Sequence, residues 1–244
     1  MPRFFISDSP IAGEEYILTG EDARHISKSL RMRAGEGLVL CSPENDCSCE
    51  IKSIEETAVI LTILSAEKNR TEPSVRVTVY QCLPKLDKLE TVIQKSTELG
   101  AVKIVPVESS RCIVKADRAG SEKKLMRLRK IALEAAKQSG RGIIPEVTAL
   151  VRLPAAVKAA VGEGAAVMLY EAGGEPLKSI LQSIPQESEI GIFIGPEGGF
   201  EESEIENAVN AGAKIATLGP RILRTETAAP TVLSVIMYER GELE

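Results

Sequence analysis

Three short stretches in the second half of the chain have the residue types and spacing to hold a small molecule against main-chain atoms. They are LYEAGGEP (169–176), IGPEGGF (194–200) and LGPRILRTETAAP (218–230). Each follows an apolar, strand-like run and carries glycine and proline where bulkier side chains would otherwise stand. Gly195, Gly198 and Gly199 permit positive φ and close backbone approach, and Pro196 stiffens the turn. One such loop is also what an ordinary tight connection looks like; three in succession point to a site. Charge then selects the ligand. The chain has neither G-x-G-x-x-G nor G-K-[ST], so nothing marks a phosphate cradle. Glu197, Glu201, Glu202 and Glu204 would repel a pyrophosphate, although they also complement the dipole of the helix that follows. A phosphate-free ligand with a positively charged reacting centre fits better, and S-adenosylmethionine is such a molecule.

The elements that must position these loops alternate between strand and helix. VRVTVYQC (75–82), VKIVPV (102–107), AAVMLY (165–170), IGIFIG (190–195) and KIATLG (214–219) read as strands. Between them the pattern predicts a helix through LDKLETVIQKSTELG, with Leu86, Leu89, Ile93 and Leu99 on its apolar face and Gly100 beyond its end. Further helices are expected over about 121–139, 176–183, 201–211 and 228–239, the last with Pro230 in its first turn. Strands that are apolar throughout and alternate with helices form a parallel sheet covered on both faces, with ligands at the strands' carboxyl ends. The last helix, with Val232, Leu233, Val235, Ile236 and Met237, has little polar face and belongs in a core or a subunit interface.

The first part of the chain has a different rhythm. LVLCS, CSCEIKSI and AVILTIL are short turn-separated runs that predict antiparallel strands. EDARHISKSLRMR predicts one short helix, with Ala23, Ile26 and Leu30 at helical spacing. The charged stretch EKNRTEPS (67–74) is the best linker, giving expected domains 1–70 and 74–244.

Composition narrows the class. A 244-residue chain with 43% hydrophobic residues can bury a core, and no apolar run approaches the roughly 18 residues of a membrane span. MPRFFISDSP lacks the apolar stretch of a secretory signal. Five cysteines and one histidine do not supply a zinc set, so no metal is expected and the cysteines read as reduced thiols of a cytoplasmic protein. The net charge of −5 is unevenly spread: residues 1–70 hold 8 basic and 12 acidic side chains, whereas 111–141 hold 10 basic and 3 acidic. That segment suits a polyanion site, or simply a solvated helix face.

GPEGGF, LGPRILRTETA, LDKLETVIQKSTELG and the QSGR at 138–141 together resemble the SPOUT methyltransferases that act on N3 of a uridine in bacterial 16S ribosomal RNA. PRFF at 2–5 and H-x4-LRMR at 25–33 resemble that family's N-terminal domain, so the likeness covers essentially the whole chain. It implies an α/β fold: a small PUA-like RNA-binding β-barrel, then an α/β SPOUT domain with a parallel sheet and a C-terminal trefoil knot. It further implies S-adenosylmethionine bent within the knotted loops, a homodimer, and 16S rRNA or the 30S subunit as partner. One departure is ESSRCIVK (108–115), where Cys112 stands beside Arg111 in place of a more polar neighbour.

On that resemblance the residues take roles. Leu169, Tyr170, Glu171, Ile194, Gly195, Glu197, Gly198, Gly199, Leu218, Gly219, Ile222 and Leu223 are expected to contact the cofactor. Methylation of a uracil N3 needs a base, a cation that stabilises developing negative charge, or both. Arg224 and Glu226 are the candidates, then Arg221, while Glu226 is equally placed to cap the final helix with Thr225 and Thr227. Arg3, Arg24, His25, Lys28, Arg31, Arg33, Arg111 and Arg141 are expected to face RNA. The competing functions are a non-catalytic RNA-binding ribosome assembly factor and a related methyltransferase for another RNA or a ribose 2′-hydroxyl.

Overall fold

The computed structural model describes residues 1–42, 44–113 and 118–243. Val114 and Lys115 of ESSRCIVK, and with them part of the basic segment, lie outside the described residues. Contacts divide the chain into two compact units, Met1–Glu72 with Ala136–Ile143 and Pro73–Ala135 with Ile144–Glu244.

The first unit holds β1 (Arg3–Phe5), β2 (Glu15–Thr19), α1 (Gly20–Arg24), β3 (Gly37–Cys41), β4 (Asn45–Ile54) and β5 (Ala58–Lys68). The sheet order is β1-β3-β4-β5-β2, antiparallel except for the parallel β1–β3 pair. Register shifts at Ser48/Cys49 and Ile51/Ser53 in β4 curl the sheet. Its inner face alternates as a half-buried sheet must: Leu38 and Leu40, Cys47, Cys49 and Ile51, then Val59, Leu61 and Ile63. α1 covers it with Ala23 and widens into π-helical turns over His25–Leu30, ending where Arg31 takes a φ of 52°. That widening moves Leu30 off the apolar face. It is 41% exposed, although the simple helical spacing put it beside Ile26.

The second unit holds β6 (Val77–Cys82), α2 (Lys88–Glu98), β7 (Lys103–Glu108), most of α3 (Arg118–Ser139), β8 (Glu146–Val147), β9 (Val151–Arg152) and α4 (Leu153–Glu163). It continues with β10 (Gly164–Leu169), β11 (Glu175–Pro176), α5 (Leu177–Ser183), β12 (Glu189–Ile194), α6 (Glu202–Asn210), β13 (Lys214–Thr217) and α7 (Thr225–Glu239). All pairings are parallel, in the order β11-β13-β10-β12-β6-β7-β8, with β9 also on β7. At its centre Tyr80 of β6 stacks on Phe193 of β12, with ring centroids 4.3 Å apart. Among the described residues no helix is long and apolar enough to cross a membrane. All five cysteines are free and buried.

Other details also differ from the sequence-based expectation. Leu86 is not on the apolar face of α2: it precedes the helix, has a φ of 57° and is 85% exposed. α7 begins at Thr225 rather than 228, because the carbonyl of the extended Arg224 already accepts the N–H groups of Thr227 and Ala228. Pro230 therefore lies inside the helix instead of in its first turn. α4 was not expected at all, although its buried residues Leu153, Ala156, Val157 and Ala160 fall at i, i+3, i+4 and i+7.

Candidate functional site

β13, β10 and β12 are neighbours in a parallel sheet, so the loops after Thr217, Leu169 and Ile194 leave it at one edge. They enclose a cavity of about 450 Å³, within the roughly 300–1,000 Å³ usual for small-ligand clefts. The wall comprises Leu169, Tyr170 and Glu171, then Ile194, Gly195, Pro196, Glu197 and Gly199, then Thr217 to Arg224, closed by Thr225 and Ala228 of α7. Every residue expected to contact a cofactor lies on this wall except Gly198. The Gly198 carbonyl instead accepts a hydrogen bond of 2.8 Å from the Arg111 guanidinium.

The glycines give the cavity its width. Gly199 has a φ of 67°, and a Cβ there would overlap the Glu171 carboxylate. A Cβ on Gly195 would sit 3.2 Å from the Gly199 Cα and 3.3 Å from the Phe200 ring. The turn between them is closed by the Gly199 N–H on the Pro196 carbonyl at 2.9 Å. The loop is anchored to α7 by the Thr225 hydroxyl, which donates to the Gly195 carbonyl at 2.7 Å.

The charges fall out differently from the sequence argument. Glu197 lies on the wall, but its carboxylate is 3.0 Å from Lys88 Nζ and accepts the Lys85 N–H at 3.1 Å. Burial pushes the Glu197 carboxyl up, yet Lys88, its own N–H and the Lys85 N–H together outweigh burial and hold it below its ordinary value. Glu201 and Glu204 form a reciprocal capping box on α6, and Glu204 also accepts the Ser110 N–H at 2.8 Å. These three carboxylates therefore build the loop and helix. The acid left facing the cavity is Glu171, beside Gly199. Arg221 and Arg224 stand on the wall, exposed, with no acidic side chain within 4 Å among the described residues.

Glu226 does not line the cavity, contrary to its expected place in the catalytic set. Its carboxylate lies 3.3 Å from Lys88 Nζ, so Lys88 bridges the GPEGG loop and the first turn of α7. No side-chain cap hydrogen bond forms at the start of α7 either. Lys88 was missed because nothing near it in sequence marks an ion pair with residues more than a hundred positions away.

In the first unit Arg24, His25, Lys28, Arg31 and Arg33 are all exposed along α1 and the turns after it. None of these four cations Arg24, Lys28, Arg31 and Arg33 has an acidic partner within 4 Å among the described residues. Two other expected RNA contacts are corrected. Arg141 is 2% exposed and clamps Glu72 at 2.6 Å, while Glu72 also accepts the Gly142 and Ile143 N–H groups. Arg3 pairs with Asp46 at 2.6 Å and is largely covered. The Arg141 guanidinium, buried and bidentate on Glu72 through Nε and Nη2, is committed to the fold, and Arg3 is neutralised by Asp46. Among the described residues no group of three or more His, Cys, Asp or Glu is arranged to hold a metal ion.

Comparison with known proteins adds two family matches: an RNA methyltransferase domain over residues 71–237 and an RNA methyltransferase PUA domain over 18–64. The chain is 35% identical to ribosomal RNA small subunit methyltransferase E of Bacillus subtilis, covering 98% of this chain and 97% of that protein. The Mycobacterium bovis protein of the same name is 32% identical over 96% of this chain and 90% of its own. Among solved structures, ribosomal RNA small subunit methyltransferase E from Neisseria gonorrhoeae, bound to S-adenosyl methionine, superposes with a TM-score of 0.87. That match is 30% identical and covers 98% of each chain.

Proposed function

Because the chain belongs to the RNA methyltransferase family, with its methyltransferase domain over residues 71–237 and its PUA domain over 18–64, we propose that it methylates N3 of a uridine in the 16S rRNA of the small ribosomal subunit, with S-adenosylmethionine as donor. The observation that carries this is the cavity of about 450 Å³ built from three glycine- and proline-rich loops, with two arginines at its wall that have no acidic partner among the described residues.

The residues present suit that donor. Gly195 and Gly199 let main-chain edges approach a ligand, Leu218 and Leu223 offer apolar surface for an adenine, and Glu171 complements a sulfonium. When bound, the donor supplies an electrophilic methyl group. The protein's part is then alignment and charge. Uracil N3 reacts as its deprotonated imide: the N3 proton passes to solvent water, and Arg224, with Arg221 beside it, stabilises the negative charge left on the ring. Glu226 is held by Lys88 and takes no base role in this scheme. Arg24, His25, Lys28, Arg31 and Arg33 offer donors to RNA phosphates. The same reading includes a trefoil-knotted chain path through the three loops, a homodimer, and action in the cytoplasm. Ile222, 83% exposed on the cavity rim, favours a partner surface there.

The test is incubation of the protein with methyl-labelled S-adenosylmethionine and 30S subunits from a strain lacking it, followed by digestion to nucleosides. The expected product is N3-methyluridine. A 2′-O-methylated nucleoside, or RNA binding without any transfer, would replace this reading with one of its competitors.

A further inference from the structure

β6 is the strand at the heart of the second unit's sheet, and all six of its residues, VTVYQC, are buried. Gln81 is the one amide in it and is 0% exposed. Its Nε2 donates to the Cys82 carbonyl at 2.9 Å and to the Thr225 hydroxyl at 2.9 Å, while its Oε1 is buried with no hydrogen-bond partner. A buried polar atom left unpaired is costly, so an amide kept in a fully buried strand needs a reason.

The direction of the hydrogen bonds supplies one. The Cys82 and Gly195 carbonyls can only accept. The amide nitrogen must therefore face Cys82, and the Thr225 hydroxyl must spend its single proton on Gly195, at 2.7 Å. Thr225 then has to accept, and Gln81 is its donor. The chain runs one way: Gln81 N–H to Thr225 O, then Thr225 O–H to the Gly195 carbonyl. No alternative orientation satisfies both carbonyls.

We propose that Gln81 is a positioning residue for methyl transfer, fixing the distance between the donor loop and Arg224 through the Thr225 hydroxyl. Gly195 begins the GPEGG turn that walls the cavity, and Thr225 is the first residue of α7, directly after Arg224. The relay ties these two walls to a rigid central strand. Gln81 itself is not on the cavity wall. Loss of the relay leaves the three loops able to take up the donor but frees Arg224 to drift relative to it. Misplacement of a catalytic group by about 1 Å can lower turnover by roughly a hundredfold.

The proposal rests on the cavity being the S-adenosylmethionine site, so wild-type binding is measured first by calorimetry. Absence of that binding would remove the underlying reading rather than the relay alone. Given binding, Gln81→Met fills the same volume and removes the orphan oxygen, so the fold and melting temperature are expected to hold. Its dissociation constant for S-adenosylmethionine should stay within about threefold of wild type while turnover on 30S subunits falls at least tenfold. Thr225→Val should lose turnover at least as heavily, and Thr225→Ser, which keeps the hydroxyl, should recover most of it. The proposal is overturned if Gln81→Met turns over like wild type. It is equally overturned if donor affinity and turnover fall in parallel, which is what mere support of the cavity would give, or if Thr225→Ser fails as badly as Thr225→Val.

Discussion

Arg224 and Glu226 stand two positions apart in RTET, yet the fold sends them to opposite duties. Arg224 is extended, exposed and on the cavity wall, whereas Glu226 is inside the first turn of α7 and bound to Lys88. The proposed mechanism therefore rests on the arginine. Arg224→Ala should leave S-adenosylmethionine affinity largely intact while methylation of 30S subunits falls by about a hundredfold or more, as removal of a charge-stabilising donor does. Equal loss of both quantities would make Arg224 a structural residue. At this scale the sequence was readable where function depends on local backbone: Gly195 and Gly199 of GPEGG and the arginines of GPRILR are found on the cavity wall. It misled where a charge is consumed by a distant partner. Glu197, Arg3 and Arg141 look available in sequence and are paired in the fold with Lys88, Asp46 and Glu72.

At the scale of elements, the helix ends carry the clearest signals. α2 ends in a Schellman motif: the Gly100 N–H bonds the Thr97 carbonyl at 3.1 Å and the Ala101 N–H bonds the Ser96 carbonyl at 2.9 Å. Gly100 has a φ of 91°, and a Cβ there would meet Pro73 Cγ at 2.9 Å and Met237 Cε at 3.2 Å. Gly100→Ala should accordingly destabilise the protein by about 1–2 kcal/mol for the left-handed backbone alone. That corresponds to a fall in melting temperature of roughly 2–8 °C by calorimetry. An unchanged melting temperature would contradict the motif. The start of α7 was less legible than its end, because Pro230 invites a first-turn assignment while the N–H groups of Thr227 and Ala228 have already closed on Arg224. α4 shows the converse case. Its apolar spacing is regular, but a run of alanine and valine next to a strand of similar composition gives little contrast to mark the boundary.

Over the whole molecule, alternation of apolar strands with helices was enough to predict a parallel sheet, and sheet topology then brings three loops, separated in sequence by strands and helices, to one edge. What alternation could not give is strand order, which decides that β13, β10 and β12 are adjacent and hence that the loops share one cavity. The acidic net charge likewise hides its distribution: the first unit exposes Arg24, Lys28, Arg31 and Arg33 along one helix and its turns, while the second unit places Arg221 and Arg224 at the cavity. The central claim is that this cavity, and no other part of the chain, takes the methyl donor. Titration of S-adenosylmethionine into the intact protein and into intact Gly199→Val tests it most directly by calorimetry. The account predicts saturable binding to the wild type and its loss in the variant, because a β-branched side chain at a φ of 67° cannot keep the turn and would displace Glu171. Equal binding to both proteins would contradict it.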